Sequence, residues 1–291
     1  MRLLAAYELA PPLQAAIAPL RPWSTLHFDP TAWHPLRQAT ARQLGCRVDE
    51  LGMLHALEAA QARGVPLKSR RRTTGKHANV AALKNLQTVY EDFVCDVVAP
   101  HVAEHYCGHC DEVLFQAMPS LRVVVPGAKP AGKRHRDGAY GHQPGQINWW
   151  LPLSPAYGNN TLWLEPPPGA SVSDVGAGTE RLRSPDAWPL EGSFGTLHRF
   201  HGHACFHFTR PNDTPATRVS LDFRVVPGPC FDNDWPGSRS PLTGAQSFFV
   251  GGYYARASLE GTRWSVDRDT AGTQLRGNVA KRATRHPQDS S

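Results

Sequence analysis

No apolar run in this 291-residue chain approaches 18 residues, so no segment reads as a membrane-spanning helix. The opening Met1-Arg2-Leu3-Leu4 is interrupted by Glu8 and then by Pro11-Pro12, too soon for the apolar core of a signal peptide. Cysteine is sparse and irregular: six residues, at 46, 95, 107, 110, 205 and 230, do not space out as a secreted disulfide framework. A reducing, cytoplasmic setting is the expectation that follows. No internal repeat is visible.

What is present is ordinary for a soluble globular enzyme: 41% hydrophobic and 19% charged residues, enough chain for one large domain or a domain with a helical lobe. Proline (26) and glycine (25) exceed average usage and crowd after residue 119, which predicts many turns and a β-rich body. The formal charge of +6 raises a nucleic-acid reading. Much of that charge, however, falls in Lys68-Ser69-Arg70-Arg71-Arg72 and in the far C-terminal tail, as solvated runs do. Nucleic acid is therefore not expected as a partner. A substrate bearing phosphate or carboxylate would also account for the basic balance.

Three regions follow from texture. Residues 1–112 read as mostly helical, and within them Leu83, Leu86, Val89, Tyr90, Phe93, Val94 and Val97 recur at three- and four-residue steps, a core-facing stripe. Pro100 is expected to kink or break that helix. Residues 113–256 carry short strands at 121–125, 146–153, 160–165, 194–200, 204–208 and 217–226, with a further one at 248–254. That cadence predicts a closed or double-sheet antiparallel architecture. A Gly/Pro/Ser-rich insert at 171–191 reads as a loop that lids a site. Residues 257–291 read as a polar, basic, flexible tail.

The chemistry is concentrated in His135-Arg136-Asp137, His207 and Arg218-Val219-Ser220. On a strand, residues i and i+2 share a side, so His135 and Asp137 present an imidazole and a carboxylate together. Two imidazoles and one carboxylate can cap one face of a non-haem iron(II) ion and leave its other positions open. A guanidinium with a neighbouring hydroxyl, beginning the next strand, suits the far carboxylate of a small diacid. A buried arginine there needs such a partner. His198, His201 and His203 are rival third ligands; His207 is preferred for its distance ahead of the Arg-x-Ser.

These residues resemble the iron(II)/2-oxoglutarate-dependent oxygenases, and more narrowly the phytanoyl-CoA-hydroxylase-like group and the oxygenases of streptomycin-type biosynthesis. Tyr140-Gly141-His142, the run from Gln146 to Leu153, the run from Asn160 to Glu165, Asn212 and the run from Thr217 to Arg224 carry the likeness further, over roughly residues 113–226. The resemblance implies a double-stranded β-helix (jelly roll, cupin-like) core with N-terminal helical support. It implies iron(II) on His135, Asp137 and His207, and 2-oxoglutarate on Arg218 and Ser220 with help from Asn148. Molecular oxygen would be the third cofactor, and hydroxylation of a polar small molecule with release of succinate and CO2 the reaction. Family halogenases have a small residue where Asp137 stands, so a carboxylate favours hydroxylation or desaturation. Tyr140, His142 and Glu165 are the candidates for touching substrate. Glu165 reads equally well as half of a structural pair, and His142 as a structural hydrogen-bonder.

Cys107-Gly108-His109-Cys110 reproduces a redox dithiol but follows a helix rather than preceding one, where the dipole disfavours thiolate. Ordinary reduced thiols are expected. Two alternatives to a small-molecule hydroxylase stay open: the same iron centre acting on nucleic acid or a protein side chain, and a jelly-roll sensor that holds metal without turnover.

Overall fold

The computed structural model describes residues 23–60, 80–106, 110–130, 132–165, 187–240 and 242–271. Strand β1 (Trp23–His27) precedes helices α1 (His34–Leu44), α2 (Leu54–Ala60) and α3 (Val80–Phe93), and α3 continues through a π-turn at Val94–Val98 into α4 (Ala99–Tyr106). The strands β2 (Glu112–Gln116), β3 (Ser120–Val124), β4 (Ile147–Pro152), β5 (Leu162–Leu164) and β6 (Trp188–Leu190) follow. After them come β7 (Thr196–Phe200), β8 (His207–Thr209), β9 (Arg218–Pro227), β10 (Tyr254–Glu260), β11 (Arg263–Val266) and one turn of helix, α5 (Arg268–Ala271).

The larger sheet runs β1-β7-β4-β9-β2-β10-β11, with β3 also paired to β9, and the smaller runs β6-β5-β8. Every strand pairing is antiparallel. An isolated bridge between His135 and His207 extends the smaller sheet past β8. One cavity is lined by strands of both sheets, β3, β4, β7 and β9 from the larger, β5 and β8 from the smaller. The fold is mainly β with helices, a jelly roll.

β9 shows how the sequence builds this. Val219, Leu221, Phe223 and Val225 are buried in the core that the helices cover, together with Leu86, Tyr90, Phe93 and Val98. Each such side chain contributes about 1.5–3 kcal/mol by leaving water. The period of two sends Arg218, Ser220, Asp222 and Arg224 to the opposite face, between the sheets. One strand thus anchors the core and furnishes the cavity. On β4 the same alternation puts Trp149 and Leu151 in the core and leaves Asn148 and Trp150 facing the cavity.

Three expectations change. Pro100 does not break its helix: the chain enters it through a π-turn in which the Ala99 N–H reaches back to the Val94 carbonyl. That wider register accommodates a residue with no N–H and a ring where the preceding turn would lie. The region 1–112 is not only helical, since β1 pairs with β7 from Trp23↔Phe200 to His27↔Thr196 as an edge of the larger sheet. Residues 257–266 are not tail. Tyr254, Ala255 and Ala257 are buried beside β2, and β10 turns through Gly261 (φ 63°) into β11, which buries Trp264. Edge strands carry polar residues on their open side, and that composition disguised the hairpin. Residues 272–291, the basic run at 68–72 and most of the 171–191 insert lie outside the described residues; the insert's end supplies β6. Of the cysteine pair, 107–109 lie outside them too, and Cys110 is buried.

Candidate metal centre

His135 and His207 are joined by two reciprocal backbone bonds: the His135 N–H donates to the His207 carbonyl (3.1 Å) and the His207 N–H to the His135 carbonyl (2.9 Å). This pairing sets the two rings side by side, with centroids 4.2 Å apart. Their Nδ1 atoms face backbone carbonyls, His135 that of Lys133 at 2.6 Å and His207 that of Cys205 at 3.2 Å. A carbonyl oxygen only accepts, so each Nδ1 carries the proton and each Nε2 presents its lone pair. Both Nε2 atoms point at one oxygen, Asp137 Oδ1, at 3.6 and 3.4 Å. The three donor atoms lie within 4.8 Å of one another, the only such group among the described residues.

The other oxygen of Asp137 is fully engaged. Oδ2 accepts from Asn148 Nδ2 (2.7 Å), Gln146 Nε2 (3.0 Å), and Arg224 Nη2 (3.1 Å) and Nε (3.2 Å). The Asp137 N–H donates to the Gly202 carbonyl at 2.7 Å, which fixes the backbone as well. Burial alone would raise this carboxyl, but the Arg224 guanidinium holds it well below the usual range. The carboxylate is divided: Oδ2 belongs to the protein, and Oδ1 faces the imidazoles.

At the other end of the cavity-facing edge of β9, Arg218 is 2% exposed, and its Nε and Nη1 have no hydrogen-bond partner. The Ser220 hydroxyl beside it is also buried without one. Burial pushes the Arg218 guanidinium down to about 10. Trp150 lies against it, 5.6 Å from ring centre to guanidinium carbon. Buried polar groups without partners are rare and mark a ligand or water position. Arg122, across the ladder from Ser220, does not share this condition, because its Nε donates to Asp222 at 2.7 Å. One cavity of about 290 Å³ joins His135, His207, Arg218, Arg122 and Arg224, near the lower end for small-molecule sites.

The structure therefore brings together His135, Asp137, His207, Arg218 and Ser220. Asn148 lines the cavity, but both ends of its amide serve the protein, Nδ2 on Asp137 and Oδ1 accepting from Gln146 at 2.9 Å. Tyr140 is 64% exposed at the mouth, its ring 5.2 Å from that of His135. His142 does not line the cavity; it is buried and stacked on Phe248 at 3.9 Å. Glu165 does not line it either, and takes Arg134 in a two-pronged pair at 2.7 and 2.5 Å. Among the rival histidines, His198 faces Thr25 and His203 faces the His142 carbonyl, while the buried His201 is outside the ligand cluster.

The chain matches no protein-family model. Among curated proteins it is 32% identical over 144 residues to the streptomycin biosynthesis protein StrG of Streptomyces griseus. This chain is similar to StrG. The match covers 50% of this chain and 60% of StrG, so the chain spans less than two thirds of that relative's length. Among solved structures, EctD from S. alaskensis in its apoform has 16% identity and a TM-score of 0.48, over 80% of this chain and 82% of that one. HygX from Streptomyces hygroscopicus, solved with nickel and 2-oxoglutarate, has 12% identity and a TM-score of 0.47, over 88% and 98%. Those scores lie below 0.5, and the reading of the site rests on this chain's own atoms and on its likeness to StrG.

Sequence reasoning missed Arg224 and Gln146, the residues that hold Asp137, and Arg122. The signal was present. Arg218, Ser220, Asp222 and Arg224 alternate with four apolar residues, which marks a strand with one face in the core and one polar face enclosed. Gln146 shares a strand side with Asn148, two residues on.

Proposed function

We propose that this chain is an iron(II)/2-oxoglutarate-dependent oxygenase that hydroxylates a polar small molecule and releases succinate and CO2. The observation that carries the reading is the co-occurrence of a His-Asp-His donor set and a buried Arg-Ser pair lacking partners, with His135, His207 and Arg218 lining one cavity. The donor set fits iron(II): two neutral imidazole nitrogens and one carboxylate oxygen converge from one side. The orphaned donors fit a carboxylate.

In this reading His135 Nε2, Asp137 Oδ1 and His207 Nε2 hold the metal, and Arg218 and Ser220 take the distal carboxylate of 2-oxoglutarate. The bound metal and keto acid supply the activation of oxygen, chemistry that belongs to the cofactors. The chain's own contribution is geometry and exclusion of water. The Lys133 and Cys205 carbonyls fix both imidazole tautomers, and Arg224, Asn148 and Gln146 keep Asp137 turned with one oxygen inward. Trp150, Phe200 and Phe208 line the cavity with apolar surface, which strengthens every charge interaction inside it. Asp137 fills the third ligand position, which favours hydroxylation over halogenation. The likeness to StrG supports a substrate from small-molecule biosynthesis.

Succinate formation from 2-oxoglutarate, with iron(II), oxygen and ascorbate supplied, tests the reading. Wild type should release succinate slowly even without substrate, and His207→Ala and Arg218→Ala should each lower that rate by about 100-fold or more. Metal bound with no succinate formed would favour the sensor reading instead.

A further inference from the structure

We propose that the substrate is an anion, a small molecule bearing phosphate or carboxylate, and that Lys133 at the cavity mouth is its counter-charge. The inference rests on the iron and 2-oxoglutarate reading and adds to it the charge of the substrate.

The charges around the cavity are almost all committed. Asp222 is the one carboxylate among the described residues that line it, and Arg122 holds it at 2.7 Å. Asp137, between the imidazoles, is held by Arg224 at 3.1 Å. Glu165, the acidic candidate nearest by sequence to the smaller sheet's inner face, is closed off by Arg134. No carboxylate among these is left to receive an ammonium group. A pocket for a polyamine would need several, because a buried cation without a partner costs several kcal/mol.

The cations are not balanced in the same way. Arg122 cancels Asp222, Arg224 cancels Asp137, and a divalent metal cancels the two charges of the keto-diacid. Arg218 and Lys133 remain positive. Arg218 is buried, which leaves Lys133 as the cation at the mouth. Lys133 is exposed, lines the cavity and has no ion pair among the described residues. It stands two residues before His135 and accepts that ring's Nδ1–H on its own carbonyl, so its backbone is tied to the metal site. A low-dielectric cavity with a net positive field attracts an anion and repels an amine.

A matched set on one scaffold tests this: glucose 6-phosphate, glucuronate, glucose and glucosamine, titrated calorimetrically into the anaerobic iron(II)–2-oxoglutarate complex of the full chain. The visible charge-transfer band of that complex is recorded first. If no band forms, the oxygenase reading itself fails before any sugar is added. With the band present, an anionic sugar should bind about tenfold tighter than glucose, and glucosamine weakest. The tighter of the two anions names the headgroup. Lys133→Gln should keep the band and lose the preference. No preference for either anion, a preference for glucosamine, or an anion preference that survives in Lys133→Gln would each overturn the proposal.

Discussion

Two arginines on one strand carry opposite consequences. Arg218 and Arg224 are 2% and 7% exposed and face the same cavity, but Arg224 is bonded to Asp137 while Arg218 has two nitrogens without a partner. Removing an unpaired buried charge relieves its desolvation, so Arg218→Met should stabilise the ligand-free protein by about 1–3 kcal/mol in urea unfolding. The same variant should no longer be stabilised by 2-oxoglutarate in the presence of metal. Arg224→Met strands the Asp137 carboxylate and should cost about 3–5 kcal/mol. It should also weaken metal binding about 10- to 100-fold, read by competition with a chelating dye, because Oδ2 loses two of its four donors. Equal signs for the two stability changes would contradict the charge assignment at one end of the strand or the other.

At the scale of elements, the site depends on how closely the 201–207 segment approaches β4. A Cβ on Gly202 would lie 2.4 Å from Asn148 Nδ2, the atom that donates to Asp137. Gly202→Ala should therefore displace the Asn148 amide and lower metal affinity about tenfold or more while leaving the helix-covered core intact. Far-ultraviolet circular dichroism that stays native as the affinity falls would bear this out, and unchanged affinity would not. Most strands were legible because their apolar residues alternate or run together, and the His135-Asp137-His207 cluster was legible because a motif fixes its spacing. Asn148's task was not, since a strand pattern gives the side of a residue and not the atom it reaches. The β10–β11 hairpin was hidden by its polar open edge, and the persistence of the helix past Pro100 by a π-turn that no periodicity reports.

For the molecule as a whole, the buried histidines set the response to acid. Burial lowers His142 and His198 to about 4 and His201 to about 3, and all three are at most 7% exposed. The unfolded chain takes up protons near pH 6.5 while the folded chain does not, so stability is fully present above that pH and falls as pH drops toward 4. Each imidazole contributes a slope of about 1.4 kcal/mol per pH unit, about 4 for the three together. Urea midpoints at pH 7, 6 and 5 measure it, and a flat profile would mean that these rings gain solvent or partners on protonation.

The position of a bound metal can be measured directly. Crystals grown with manganese(II) in place of iron, with data collected at the manganese absorption edge, locate it without reference to activity. One anomalous peak per chain is expected within bonding distance of His135 Nε2, Asp137 Oδ1 and His207 Nε2, with added 2-oxoglutarate reaching from it to Arg218 and Ser220. A peak at other side chains, or a keto-diacid bound away from Arg218, would contradict it.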